Sequence, residues 1–128
     1  MKMGGKMKKI HQRMLLGLQA VCENQGDGWF IIMEEPETES FVQFAFDEGE
    51  GLVFDCPTMS FNPEELQNAI EVMGRFGITH ENPSGDDFSS FNMGIGMDIE
   101  LAAQIATAMF CEVFKFEDDV RFDITINR

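Results

Sequence analysis

The side chains that could carry catalytic chemistry in this sequence are few and widely spaced. The chain has two histidines, His11 and His80, and no serine or cysteine near either one indicates a nucleophilic triad. Glu34, Glu35 and Asp55 could form a catalytic carboxylate pair only if the fold brought two of them together, and no spacing in the sequence does so. We therefore expect a protein that is not an enzyme and has no catalytic residues.

The segment 80–87 holds the best candidates for a cation site. His80, Glu81, Asp86 and Asp87 lie close together, and Asp98 could join them. Their spacing matches neither an EF-hand loop nor a zinc motif. We expect no metal and no cofactor. The alternative function is a small-ligand or cation-dependent enzyme or regulatory domain that uses this acidic loop around His80 and Asp87.

Three cysteines, Cys22, Cys56 and Cys111, are odd in number, far apart and surrounded by apolar residues. Such cysteines are usually buried reduced thiols, which are typical of a reducing cytoplasm. No apolar run approaches the roughly 20 residues that span a bilayer, and the basic start is not followed by a signal-peptide cleavage site. The sequence thus predicts a cytoplasmic protein with no membrane partner.

Length and charge limit the partners further. The 128 residues suit one domain, 1–128, with residues 1–5 frayed. The chain has 23 acidic and 9 basic residues, and no acidic residue precedes Glu23. More than half of the basic residues lie in this first stretch: Lys2, Lys6, Lys8, Lys9 and Arg13. The acidic remainder repels nucleic-acid backbones and favours basic or apolar protein partners. A third possibility is a regulatory protein whose basic N-terminal arm grips an acidic protein or a membrane surface.

The stretch 38–57 is predicted to be the central β-hairpin, with the turn at Glu48-Gly49-Glu50-Gly51. In its first strand Val42, Phe44 and Phe46 alternate with Phe41, Gln43 and Ala45, and in its second strand Leu52, Phe54 and Cys56 alternate with Val53 and Asp55. The first strand therefore carries apolar residues on both faces, which a core on one side does not require. Either the protein itself or a partner is expected to cover the second face.

Periodicity and capping signals predict the other elements. Helices are expected at 6–24, 63–76 and 99–114, and strands at 29–34, 78–82, 88–95 and 120–127. Asn62, Pro63 and Glu65 form a predicted capping box at the start of the second helix. The order α-βββ-α-ββ-α-β indicates an α+β fold, with a largely antiparallel sheet packed against helices.

This order of elements is similar to that of the type III secretion chaperones, and short pieces resemble the bacterial TY-Chap domains, relatives of those chaperones. The pieces cover the strand, turn and helix positions of that pattern: Phe41-Val42-Gln43-Phe44-Ala45, Phe76-Gly77-Ile78, Pro83, Phe88, Ala102-Ala103 and Val113-Phe114. The resemblance spans residues 38–116.

The resemblance implies a small, acidic, cytoplasmic and non-enzymatic protein that forms a homodimer and holds a client protein. Chaperones of this kind display an extended client along apolar patches and sheet edges, by β-strand addition. The predicted protein-binding residues lie on the hairpin and the second helix: Phe41, Gln43, Phe44, Val53, Leu66, Ile70 and Met73.

Overall fold

The computed structural model describes residues 9–22, 29–47, 49–81 and 90–127. In chain order the elements are α1 (Lys9–Cys22), β1 (Trp29–Glu34), β2 (Phe41–Asp47), β3 (Gly51–Pro57), α2 (Pro63–Gly74), β4 (His80–Glu81), β5 (Ser90–Gly96), α3 (Ile99–Ala108), which continues as a π-helical turn (Met109–Val113), and β6 (Asp123–Asn127). The predicted α+β class with an antiparallel sheet and three helices is confirmed. None of the described helices is long and apolar enough to cross a membrane.

The strands form one sheet in the order β4-β5-β3-β2-β1-β6, and every neighbouring pair is antiparallel. In the register of β1 with β2, Glu34 lies opposite Phe41, and in that of β1 with β6 the same Glu34 lies opposite Asp123. The short β4 and the strand β6 are the edges of the sheet.

One face of the sheet forms the core together with the three helices. The buried strand residues all alternate onto this face: Ile31, Met33, Val42, Phe44, Phe46, Leu52, Phe54, Cys56, Phe91 and Ile95. Helix α1 contributes Ile10, Met14 and Leu18, which are four residues apart and lie on one side of the helix. The many alanines of α3 let it pack closely beside α1. Each large apolar side chain buried here stabilises the fold by about 1.5–3 kcal/mol.

Local hydrogen bonds explain where the second and third helices begin. Asn62 Oδ1 accepts from the Glu65 backbone N–H at 2.7 Å, and Glu65 Oε1 accepts from the Asn62 N–H at 3.0 Å. The predicted capping box is therefore confirmed. Asp98 Oδ1 accepts from the Leu101 N–H at 3.0 Å and caps α3 in the same way.

The start of α1 is capped by a residue distant in sequence. The Asp118 carboxylate accepts from the backbone N–H groups of Lys9 and Ile10 at 3.1 and 3.0 Å. Arg13 donates to the Asp118 carbonyl at 2.9 Å and lies over the Phe122 ring, 5.1 Å from its centroid. These contacts fix the segment after the π-helical turn against α1.

Several predicted boundaries differ from the observed ones: β4 begins at His80 and not at residue 78, and α2 ends at Gly74 and not at residue 76. Two further differences have clear physical reasons. The last strand was expected at 120–127, but β6 begins at Asp123. Asp123 pairs with Glu34, the last residue of β1, so the residues before Asp123 have no strand left to pair with. The helix expected at 99–114 is α-helical only to Ala108 and then widens into the π-helical turn.

Candidate functional site

The face of the sheet opposite the core carries apolar side chains from its three middle strands. We call Phe30, Ile32, Phe41, Ala45 and Val53 the apolar face. None of these five residues is buried, and Phe30 is 39% exposed. The helix side chains contribute to the core on the other side of the sheet, so the apolar face is not part of that core.

Polar side chains interrupt and border the apolar face. Within it, Gln43 Nε2 donates to Asp55 Oδ2 at 3.1 Å, which joins β2 to β3. On the two strands that flank these three, the same face carries exposed polar residues: Asn92 on β5, and Asp123 and Thr125 on β6. The arrangement of apolar centre and polar border is typical of a protein-interaction surface.

A cavity of about 580 Å³ lies at the end of the sheet where β1 and β3 end and β2 begins, near the β1–β2 turn. Its aromatic walls are Phe41, Phe61 and Phe114. The Phe61 and Phe114 rings meet edge-on with their centroids 5.7 Å apart. Phe114 follows the π-helical turn, and its backbone N–H donates to the Met109 carbonyl at 2.9 Å. The widened turn thus sets the position of one wall.

The polar lining of the cavity is acidic and hydroxylic. It contains the acidic residues Glu34, Glu39 and Glu65 and the hydroxyl-bearing residues Thr38, Ser40 and Ser60. No lysine, arginine or histidine is among the described residues that line it. The cavity therefore presents negative charge beside aromatic rings.

Hydrogen bonds make the β1–β2 turn at the cavity rigid. The Glu39 N–H donates to the Glu35 carbonyl at 2.8 Å, and the Glu35 N–H donates to the Ser40 carbonyl at 2.9 Å. Glu39 is held at φ 62°, in the left-handed region that non-glycine residues seldom adopt. The carboxylate of Glu39 is therefore presented by a backbone that its neighbours hold in place.

The side chain of Glu35 binds this turn internally. Its Oε1 accepts from the Thr38 hydroxyl and the Thr38 N–H, both at 2.7 Å, and its Oε2 accepts from the Glu37 N–H at 3.0 Å. These hydrogen bonds lower the pKa of Glu35 because they stabilise the carboxylate. The bond from the Thr38 hydroxyl has the largest effect, and the backbone donors add to it. Glu35 thus serves the turn and does not face the cavity.

We expect Thr38→Val to raise the pKa of Glu35 and to lower stability in a pH-dependent way. Because the pKa of Glu35 is lower in the folded chain than the unfolded value of about 4.3, ionised Glu35 stabilises the fold above that value, and this contribution is lost as the pH falls through the folded pKa. The difference in urea midpoint between wild type and variant should shrink towards acid pH. Thr38→Ser keeps the hydroxyl and is the control. If NMR showed the same titration of the Glu35 carboxyl in Thr38→Val as in wild type, the expectation would be contradicted.

Comparison with known proteins adds no family to this geometry. No family model, no curated protein and no solved structure matches the chain. The resemblance to TY-Chap domains therefore stays a prediction, and the function has to be inferred from the residues of this chain.

The structure divides the predicted protein-binding residues into three sets. Phe41, Gln43 and Val53 lie on the sheet face opposite the core. On α2, Leu66 is partly buried and Ile70 is 40% exposed. The remaining two, Phe44 and Met73, are fully buried in the core. The seven residues are therefore not brought together into one surface.

Only some of the residues considered for a cation site lie in the described part of the chain. Asp86 and Asp87 lie outside the described residues, and within the described ranges no group of three His, Cys, Asp or Glu could hold a metal ion. His80 Nε2 is 3.3 Å from the Thr58 hydroxyl, and its ring lies 4.9 Å from that of Phe91. These contacts are those of a histidine packed at the sheet edge.

The three acids considered as a catalytic pair have separate contacts. Glu35 binds its own turn, Glu34 lies at the cavity and Asp55 binds Gln43, so the fold forms no pair among these three acids. Burial, and then the nearby charge of Asp55, raise the pKa of the Cys56 thiol to about 12. Burial also raises the pKa of Cys22. These two thiols are therefore poor nucleophiles.

Proposed function

We propose that this chain is a non-enzymatic protein-binding module, type III secretion chaperone-like, that holds a client or partner protein and works as a homodimer in a reducing cytoplasm. The observation that carries the proposal is the apolar face, where Phe30, Ile32, Phe41, Ala45 and Val53 lie together and none is buried. Phe30 is exposed and the other four are partly exposed, and apolar patches that a fold leaves accessible usually mark interaction sites.

The shape of the surface favours an extended client. The apolar face runs across the three neighbouring strands β3, β2 and β1. An extended segment presents every second side chain to the same side, so an apolar segment in this form could contact several residues of the face at once. Next to it lies the edge strand β6, which pairs only with β1 among the described strands. The backbone of an extended segment could add to this edge while its side chains contact the face.

Self-association has a separate candidate surface on and beside α2. Ile70 is 40% exposed, Met59 in the preceding connection is 60% exposed, and Leu66 lies one helical turn before Ile70. A dimer formed through α2 would leave the apolar face free for a client. Cys22 and Cys56 are not joined in a disulfide, which agrees with a reducing compartment.

Site-specific photo-cross-linking tests this proposal in the native cell. A photoreactive phenylalanine analogue at Ile32 or Val53 should form cross-links to a partner protein, because both positions lie on the apolar face. The same analogue at Gln12 or Gln104, two exposed helix positions, is the matched control. In parallel, light scattering of the purified protein should give the mass of a dimer.

Two results would count against the proposal. Cross-links at the helix positions but not at the sheet positions would place the interaction surface elsewhere. A strict monomer that binds no apolar dye and gives no cross-link from any of the four positions would overturn the proposal altogether.

A further inference from the structure

The cavity and the apolar face are parts of one continuous surface. Glu34 of β1 and Phe41 of β2 are directly opposite each other in the sheet register, and both side chains alternate away from the core. Both residues also line the cavity. A segment that lies along the apolar face therefore reaches the cavity at the end of the strands, without any change in the fold.

The acidic residues around the cavity have no lysine, arginine or histidine beside them among the described lining residues, and hydrogen bonds hold parts of two of them. The backbone at Glu39 is fixed by the turn, and Glu65 is oriented by its hydrogen bond from the Asn62 N–H. Glu65 uses Oε1 for this cap at 3.0 Å, so its other carboxylate oxygen remains as an acceptor. A cation entering the cavity would meet acceptors that need little reorganisation.

A second observation, on the sheet itself, also points to a cation. Asp123 of β6 lies directly opposite Glu34 of β1. Like charges directly opposite each other across two antiparallel strands are destabilising. A positive group placed at Glu34 would relieve this repulsion, whereas an acidic ligand would increase it.

The aromatic walls select the kind of cation. Phe41, Phe61 and Phe114 can pack against an aliphatic stem or the face of a guanidinium group. A bare metal ion gains little from three phenyl rings, while an arginine or lysine side chain uses both the rings and the carboxylates. A volume of about 580 Å³ has room for such a side chain.

We propose that this cavity binds a basic side chain, arginine or lysine, of the extended protein segment that lies on the apolar face. The inference rests on the proposed function, and it adds a specificity: the partner segment carries a positive residue next to its apolar ones. Partners with an acidic residue at that position would be disfavoured by Glu34, Glu39 and Glu65.

Two synthetic peptides and three forms of the full chain test this inference. Both peptides alternate valine and threonine, and they differ at one central residue, which is arginine in one and its uncharged isostere citrulline in the other. The cavity variant combines Glu34→Gln, Glu39→Asn and Glu65→Gln. Asparagine tolerates the left-handed backbone at position 39, and glutamine at position 65 can keep the capping box. The matched control removes the same number of charges at exposed sites outside the cavity, with Glu50→Gln, Glu71→Gln and Glu117→Gln.

Fluorescence anisotropy would measure the affinity of each peptide for each form. We expect wild type to bind the arginine peptide about tenfold more tightly than the citrulline peptide, because charge-assisted hydrogen bonds favour the cation. This ratio should fall to about one in the cavity variant and persist in the control variant. The citrulline peptide should bind wild type and the cavity variant equally, since the apolar face is the same in both.

The other outcomes separate this inference from the proposed function. Equal binding of the two peptides to wild type would overturn the basic-side-chain inference and leave the protein-binding function standing. An equal loss of the ratio in the cavity and control variants would show a general charge effect, and would also overturn it. Binding of neither peptide to any form would overturn the inference, and it would overturn the proposed function as well if Ile32 and Val53 also gave no cross-links.

Discussion

Replacing Gly51 with alanine is expected to destabilise the protein by about 3 kcal/mol or more. Gly51 begins β3 with φ +82°, a conformation that an L side chain seldom adopts. A Cβ at this position would lie 2.6 Å from the carbonyl carbon of Gly96 and 2.7 Å from its oxygen. Because both contacts are to backbone, a rotamer change in a neighbouring side chain cannot relieve them. The bulge that joins β3 to β5 would have to move.

Two other glycines provide matched controls for Gly51→Ala. A Cβ at Gly49, in the same turn, would meet only Asp47 Oδ1 at 3.4 Å, and a Cβ at Gly94 of β5 would meet nothing within 4 Å. Alanine at either site should change stability by less than about 1 kcal/mol. Urea unfolding would measure all three variants. A Gly51→Ala protein as stable as Gly49→Ala would contradict the close backbone approach of β3 and β5.

The elements that the sequence predicts well are those that local interactions specify. Asn62, Pro63 and Glu65 specify the start of α2 because a capping box needs only residues of the same turn. The alternation in β2 separates its two faces, but both carry apolar residues, so the pattern does not say which one the core buries. The structure buries the face of Val42, Phe44 and Phe46, and Phe44, which the sequence places among the protein-binding residues, lies in the core.

Features that depend on contacts between distant segments leave little signal in the sequence. The length of β6 depends on where β1 ends, and the cap of α1 comes from Asp118, more than a hundred residues away. The cavity combines residues from the β1–β2 turn, the β3–α2 connection, α2 and the segment after α3. No spacing in the sequence would place Glu39, Glu65, Phe61 and Phe114 together. The residues around Pro36 predict a turn at one side of the cavity, but they do not predict the cavity itself.

The two faces of β2 should respond in opposite ways to the same aspartate substitution. Phe44 is fully buried and packs against Phe54 with their ring centroids 5.6 Å apart. Phe44→Asp removes this packing, which alone costs about 3–5 kcal/mol. It also places a carboxylate in an apolar core whose described buried residues include no lysine, arginine or histidine. The total approaches the 5–15 kcal/mol stability of a typical domain. We expect Phe44→Asp to be unfolded by circular dichroism and to lack dispersed NMR signals.

The equivalent change at Phe41 should leave the fold intact and remove partner binding. Phe41 is partly exposed, faces away from the core and belongs to both the apolar face and the cavity. An aspartate there stays hydrated, so it should cost about 1–2 kcal/mol, part of it from repulsion by Glu34. It removes an aromatic anchor and adds negative charge where an apolar segment would lie, so photo-cross-linking from Val53 should fall by about tenfold or more. Phe41→Asn removes the ring without the charge and should give the same loss with less destabilisation. Undiminished cross-linking in both folded variants would show that the partner contacts another surface, because the substitutions change the apolar face at its junction with the cavity.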